Sequence, residues 1–109
     1  MKTAPVKDPK ALLGYFDGMN YYAHKQLAPK HEPYPYGKNT VIVKKDMSKR
    51  DFNHVERHEK TEVELMKHGK SYREAHSTTL LRLGDYKQKA AALRDADRNI
   101  AAARRYRNR

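Results

Sequence analysis

The chain contains no cysteine and no tryptophan, and no apolar run approaches the length of a membrane-spanning helix. Without cysteine, disulfide staples and thiolate metal sites are both excluded, so any metal must be held by His, Asp or Glu. That donor set favours zinc or another first-row ion over an iron–sulfur cluster. With neither about 18 consecutive apolar residues nor a charged-then-apolar leader, no membrane span and no signal peptide are expected, and the setting reads as aqueous and cytoplasmic. Apolar residues are 38% of the 109 and charged residues 34%, which predicts one small domain with a thin core. β-branched runs are equally scarce. Thr40-Val41-Ile42-Val43 is the only one, so the expected fold is mainly α with one short strand or small β element. No partner strand is visible. Either the preceding loop pairs irregularly or another chain completes the edge.

What is abundant is positive charge. The net charge is +11, which points to a polyanionic neighbour, most often nucleic acid. Residues 84 to 109 hold eight Lys or Arg against three Asp. The ending Arg104-Arg105-Tyr106-Arg107-Asn108-Arg109 has the composition of a phosphate-contacting arm, with Arg104, Arg105, Arg107 and Arg109 as the contacting side chains and Tyr106 for stacking. The same run also reads as a solubilising helix end whose cations compensate the macrodipole.

Residues 1 to 10, with two prolines and three lysines, read as a loose arm. Lys10 to Leu27 carries apolar residues at mostly helical spacing, weakened by Gly14 and Gly18, and predicts one or two short helices. Pro29, Pro33, Pro35 and Gly37 make 28 to 39 a loop. Ser48 or Asp51 caps a helix running to His68 and stopped by Gly69, and Ser71 with Glu74 opens another over Tyr72 to Leu83. From Asp85 to about Arg105 an Ala-rich helix presents a seam at Tyr86, Leu93 and Ile100, reinforced by Ala90 and Ala101. That seam suits either the core or a second copy of the same helix. The organisation is then an arm, short helix and Tyr/Pro loop over 1–39, a strand and helix hairpin over 40–83, and a basic helix and tail over 84–109.

The chemistry concentrates in the hairpin. On a helical wheel, Phe52, Val55, Val63, Leu65 and Met66 occupy one arc of roughly 160°, and His58, Glu59 and Glu62 fall inside it. Their charged neighbours fall outside. Buried carboxylates need partners, and a metal satisfies an imidazole and a carboxylate one turn apart. His76 faces inward from the next helix, so His58, Glu62 and His76 make a two-His, one-Glu set with a position left for water. Glu59 is placed as general base for that water, and Tyr72, one turn before His76, as donor to a developing oxyanion. His54, also four residues from His58, offers an alternative ligand. A metal-free hydrogen-bond cluster of His58, Glu62, His76 and Tyr72 satisfies the same pattern. His24, His31 and His68 have no partner at ligand spacing and read as surface or loop residues. So short a chain offers little material for a substrate cleft.

His58-Glu59-x-x-Glu62 followed by Gly69-x-x-Tyr72-x-x-Ala75-His76 resembles a variant of the His-Glu-x-x-His helix of the zincin metallopeptidases, with a strand before it as in their minimal versions. It is also similar to small phage and bacterial proteins that pair such a motif with a Tyr-x-x-Ala-His helix. The resemblance spans residues 40 to about 83. It implies a zincin-like core in which His58 and His76 are zinc ligands, Glu59 is the base, and Glu62 replaces the usual second His. The expected function is a small zinc-binding protein acting as a minimal metal-dependent hydrolase or peptidase. The alternative is a phage structural or nucleic-acid-associated protein, virion-bound, in which the hairpin is only a scaffold.

Overall fold

The computed structural model describes all 109 residues. Its elements in order are β1 (Lys2–Val6), β2 (Gly18–Met19), α1 (Tyr21–Leu27), β3 (Thr40–Lys44), α2 (Lys49–Lys67), α3 (Tyr72–Arg82) and α4 (Lys89–Arg107). The β-branched run is the central strand of a three-stranded sheet ordered β1-β3-β2, with Val41, Ile42 and Val43 fully buried. β1 pairs with it in parallel, Ala4 opposite Ile42, and β2 antiparallel, Met19 opposite Ile42. Both partners come from this chain. Residues 2 to 6 are therefore a strand and not a loose arm, because parallel pairing with β3 supplies the hydrogen bonds that local sequence could not foreshadow. Likewise, Lys10 to Leu27 holds one helix, α1, preceded by a turn and by β2. Leu13, at φ 52°, and Gly14, at φ 64°, turn the chain there and stop the apolar spacing from continuing as helix.

The hairpin follows its punctuation. Ser48 Oγ accepts from the Asp51 amide at 3.1 Å, and Ser71 Oγ from the Glu74 amide at 3.2 Å, so each helix starts on a side-chain cap. At its end, α2 closes in a Schellman motif: the Gly69 amide donates to the Met66 carbonyl and the Lys70 amide to the Leu65 carbonyl. Gly69 stands at φ 97°, a conformation that costs a side chain and not glycine. This short reversal turns α3 back along α2. No helix is long and apolar enough to cross a membrane.

α4 departs from its expected seam. Ala92, Ala96, Ala102 and Ala103 are buried, while Leu93, Ile100 and Tyr86 are half-buried and Ala90 is exposed. α4 packs most extensively on α3. Small residues at the contact let the helix axes come close, and the bulkier seam residues flank that contact. Asp95 and Asn99 lie on this same alanine-lined side and reach the hairpin.

A larger side chain at the alanine contact should force the helices apart. Ala96→Leu is expected to lower unfolding free energy by about 1–3 kcal/mol, measured by urea denaturation. Stability equal to the parent would show that α4 is not seated on this face.

Candidate metal centre

The polar residues of the inner arc of α2 are buried together. Glu62 is 1% exposed, Glu59 6%, and His76, from α3, 7%. Helical spacing stacks His58 over Glu62, and the α2–α3 reversal brings His76 against both. The resulting contacts are short: His58 Nε2 to Glu62 Oε2 2.8 Å, His76 Nδ1 to Glu62 Oε2 3.0 Å, and His58 Nε2 to His76 Nδ1 3.1 Å. The three expected ligands therefore converge. Their atoms lie within 3.1 Å of one another, close enough for one metal ion to reach all three.

Proton counting sharpens the point. His76 Nε2 lies 2.8 Å from Asp95 Oδ1 and 3.2 Å from Asn99 Nδ2; the shorter contact, to a carboxylate that can only accept, favours the proton on Nε2. In the neutral ring, Nδ1 then presents a lone pair to Glu62 Oε2, which is acceptor facing acceptor. The triangle is satisfied by an extra proton or by a metal cation.

Asp95 and Asn99 on α4 are the residues that sequence spacing missed. Asp95 Oδ2 also accepts from Tyr86 Oη at 2.9 Å and lies 3.4 Å from an Arg98 guanidinium nitrogen. It thus orients His76 from outside the triangle, as carboxylates commonly orient metal-binding imidazoles. Asn99 Nδ2 donates to Tyr72 Oη at 2.8 Å. The Tyr72 ring stacks on His76 with centroids 5.1 Å apart and planes 19° from parallel. The available signal was an Asp and an Asn one turn apart among the alanines of α4.

From the sheet side, Asn20 is fully buried, and its Nδ2 donates to Glu59 Oε1 at 2.9 Å and to Glu62 Oε1 at 3.2 Å. Gly18 lies against Glu59: a Cβ there would stand 2.9 Å from Glu59 Cγ and 3.0 Å from Oε2. Beside these groups opens a cleft of about 400 Å³, whose wall includes Glu59, Glu62, Tyr72, His76 and Asn99, with Tyr15 and Phe16 opposite. The small chain does make a cleft. It does so by folding the segment before β2 over the hairpin.

Other expected residues lie elsewhere. His54 pairs with Asp85 at 2.7 Å and takes no part in the triangle. His24 is buried, 3% exposed, with its ring 5.3 Å from that of Tyr34. It is not the surface residue expected, because α1 turns that side inward. Its pKa is lowered by burial. The C-terminal residues continue α4 as helix. Tyr106 donates to Glu32 at 2.8 Å, Arg109 stands 4.3 Å from the Tyr106 ring centroid, and Arg107 donates to the Leu27 carbonyl at 3.0 Å. Tyr106 is therefore docked and not presented for stacking. Arg104 and Arg105 remain exposed.

The electrostatics follow from the packing. Burial pulls the His58 pKa down, but the hydrogen bond and charge of Glu62 outweigh it and raise it to about 9. His76 is raised by the same carboxylate against the same burial penalty. Burial would raise Glu62, yet the two imidazoles hold it below the usual carboxylate range. Glu59 is raised, first by burial and then by the charge of Glu62.

These shifts fix the pH response of the metal-free protein. A raised folded-state pKa, as at His58 and Glu59, contributes stability in the acid range that is lost as pH rises through it. For His58 the loss falls between 6.5 and about 9. The lowered Glu62 acts oppositely, its contribution being lost on acidification. In chelator the melting temperature should therefore fall from pH 6.5 to 9, whereas zinc, were it held by His58, would displace that proton and abolish the fall. Parallel curves with and without zinc would refute this coupling. No protein-family model, curated protein or solved structure matches the chain.

Proposed function

We propose that the chain binds one zinc ion through His58 Nε2, Glu62 Oε2 and His76 Nδ1, and that it is a minimal, zincin-like hydrolase acting on a neutral acyl bond. The observation that carries this reading is the triangle itself: three donor atoms of zinc-compatible type within 3.1 Å of one another and open to a cleft. Zinc so held supplies a Lewis acid and an acidified water. The chain supplies the rest. Glu59, with one oxygen held by Asn20 and the other beside Gly18, receives a proton from the water and returns it to the leaving group, a role favoured by a carboxyl pKa displaced toward neutrality. Tyr72, whose hydroxyl accepts from Asn99 and whose pKa burial keeps well above the ordinary phenol value, stays protonated and can donate to a developing oxyanion.

Charge selects the substrate class. None of the 24 Lys or Arg lines the cleft, whereas Asp17, Glu59 and Glu62 do. A phosphate ester would meet Asp17 and Glu59 with no Lys or Arg to receive it. A peptide or ester carbonyl meets no such penalty, and Tyr15 and Phe16 give it an aromatic wall.

Metal analysis tests the first half. The protein should retain about one zinc per chain after dialysis, and His58→Ala and His76→Ala should each release it; a folded parent with no affinity for zinc would end the proposal. Glu59→Gln tests the second half. It should keep the zinc while hydrolysis of labelled casein or short peptide amides falls by about 10²- to 10⁴-fold.

A second reading rests on a different observation, the exposed Arg104 and Arg105 at the end of α4 in a chain of net charge +11. In it the chain binds nucleic acid or another polyanion through this end. Because Tyr106 and Arg107 hold α4 to the body, Arg104→Gln with Arg105→Gln is a cleaner probe than truncation. DNA binding should weaken with salt, and the double variant should reduce the slope of log K against log salt by about 2. Salt-independent binding would exclude phosphate contacts.

A further inference from the structure

We infer that Asn20 is a positioning residue of the metal centre, holding the base Glu59 and the ligand Glu62 as separate, oriented carboxylates. This role rests on the zinc reading of the site. The two carboxylates sit one turn apart on α2, both buried, and like charges so placed repel and favour sharing a proton. Shared, Glu59 would turn toward Glu62 and away from the cleft. Asn20 blocks that outcome, since its Nδ2 hydrogens go one to Glu59 Oε1 and one to Glu62 Oε1. The remaining oxygens are thereby directed outward, Glu62 Oε2 to the two imidazoles and Glu59 Oε2 to the space beside Gly18.

The orientation of the Asn20 amide is not arbitrary. Its Oδ1 accepts from the Ala23 amide at 2.9 Å as the N-cap of α1, which obliges Nδ2 to face the carboxylates. Few side chains meet both demands. Ser caps the helix but brings no amide to the carboxylates; Asp caps it but adds a third carboxylate; Ala does neither. Gly18, two residues earlier and on the same side of the strand, lets the backbone approach close enough for the amide to reach. The position thus ties the start of α1, the edge of the sheet and the inner face of α2 to one amide group.

Asn20→Ser separates positioning from capping. Its melting temperature in chelator should fall by several degrees, because two buried carboxylates lose a donor while the helix cap is kept. Its zinc affinity, by competition with a chromophoric chelator, should fall about 10- to 100-fold, the range for losing a group that orients a ligand. The visible absorption of the cobalt(II)-substituted variant should shift, which a purely structural cap would not cause. Equal zinc affinity and an unchanged cobalt spectrum would overturn the role while leaving the zinc site standing. A parent that binds neither metal would overturn both. If Asn20→Ser does not fold, the parent decides by NMR: the Asn20 side-chain amide hydrogens should exchange slowly with solvent and move on zinc addition. Resonances that exchange freely and do not respond to zinc would reject the role.

Discussion

One buried negative charge organises this molecule. Glu62 is 1% exposed and is met from three directions, by His58 on its own helix, His76 on α3 and Asn20 from the end of β2. An ionised carboxylate withdrawn from water costs several kcal/mol unless it is paired and hydrogen-bonded. Each partner reduces that cost, and each belongs to a different turn or element. Asp95 extends the arrangement to α4 through His76. Placing one carboxylate therefore fixes the relative positions of α2, α3, α4 and the sheet edge.

Small residues make that convergence physically attainable. Ala92, Ala96 and Ala103 let α4 approach α3 closely enough for Asp95 to reach an imidazole, and Gly18 lets β2 lie against Glu59 without a clash. Larger side chains at those positions would add apolar burial and push the polar partners out of hydrogen-bonding range. The chain gives up some hydrophobic stabilisation near the site in return for polar contacts that need tight geometry. A site that either a proton or a metal ion can complete makes the stability of the whole protein sensitive to which of them it holds.

The hairpin and its polar arc were legible because they rest on local rules. Ser48, Gly69 and Ser71 set helix limits through hydrogen bonds within a few residues, and helical periodicity alone placed His58, Glu59, Glu62 and His76 on inner faces. What was not legible depends on distant chain. Lys2–Val6 becomes a strand only by parallel pairing with β3, and Gly18–Met19 is too short to carry a pattern. Asp95 and Asn99 read as solvent-facing polar residues in an Ala/Arg helix until α3 is placed beside them, since the larger Leu93 and Ile100 suggested a different contact face. Asn20 gives no sign of its role, because any Asn before a helix is adequately explained as a cap.

Charge divides the surface in a way that bears on both functional readings. The cleft beside Glu62 contains carboxylates and His76 but no Lys or Arg, although these together number 24. The exposed arginines that end α4 lie on a helix whose inner side carries Asp95 and Asn99 toward the triangle. The exposed arginines are not among the residues that line the cleft, so a polyanion drawn to them meets a different part of the surface. The cleft and the exposed arginines are separate parts of the surface. The triangle and the basic end are linked through α4, whose placement both the Asp95–His76 contact and the docking of Tyr106 on Glu32 depend upon.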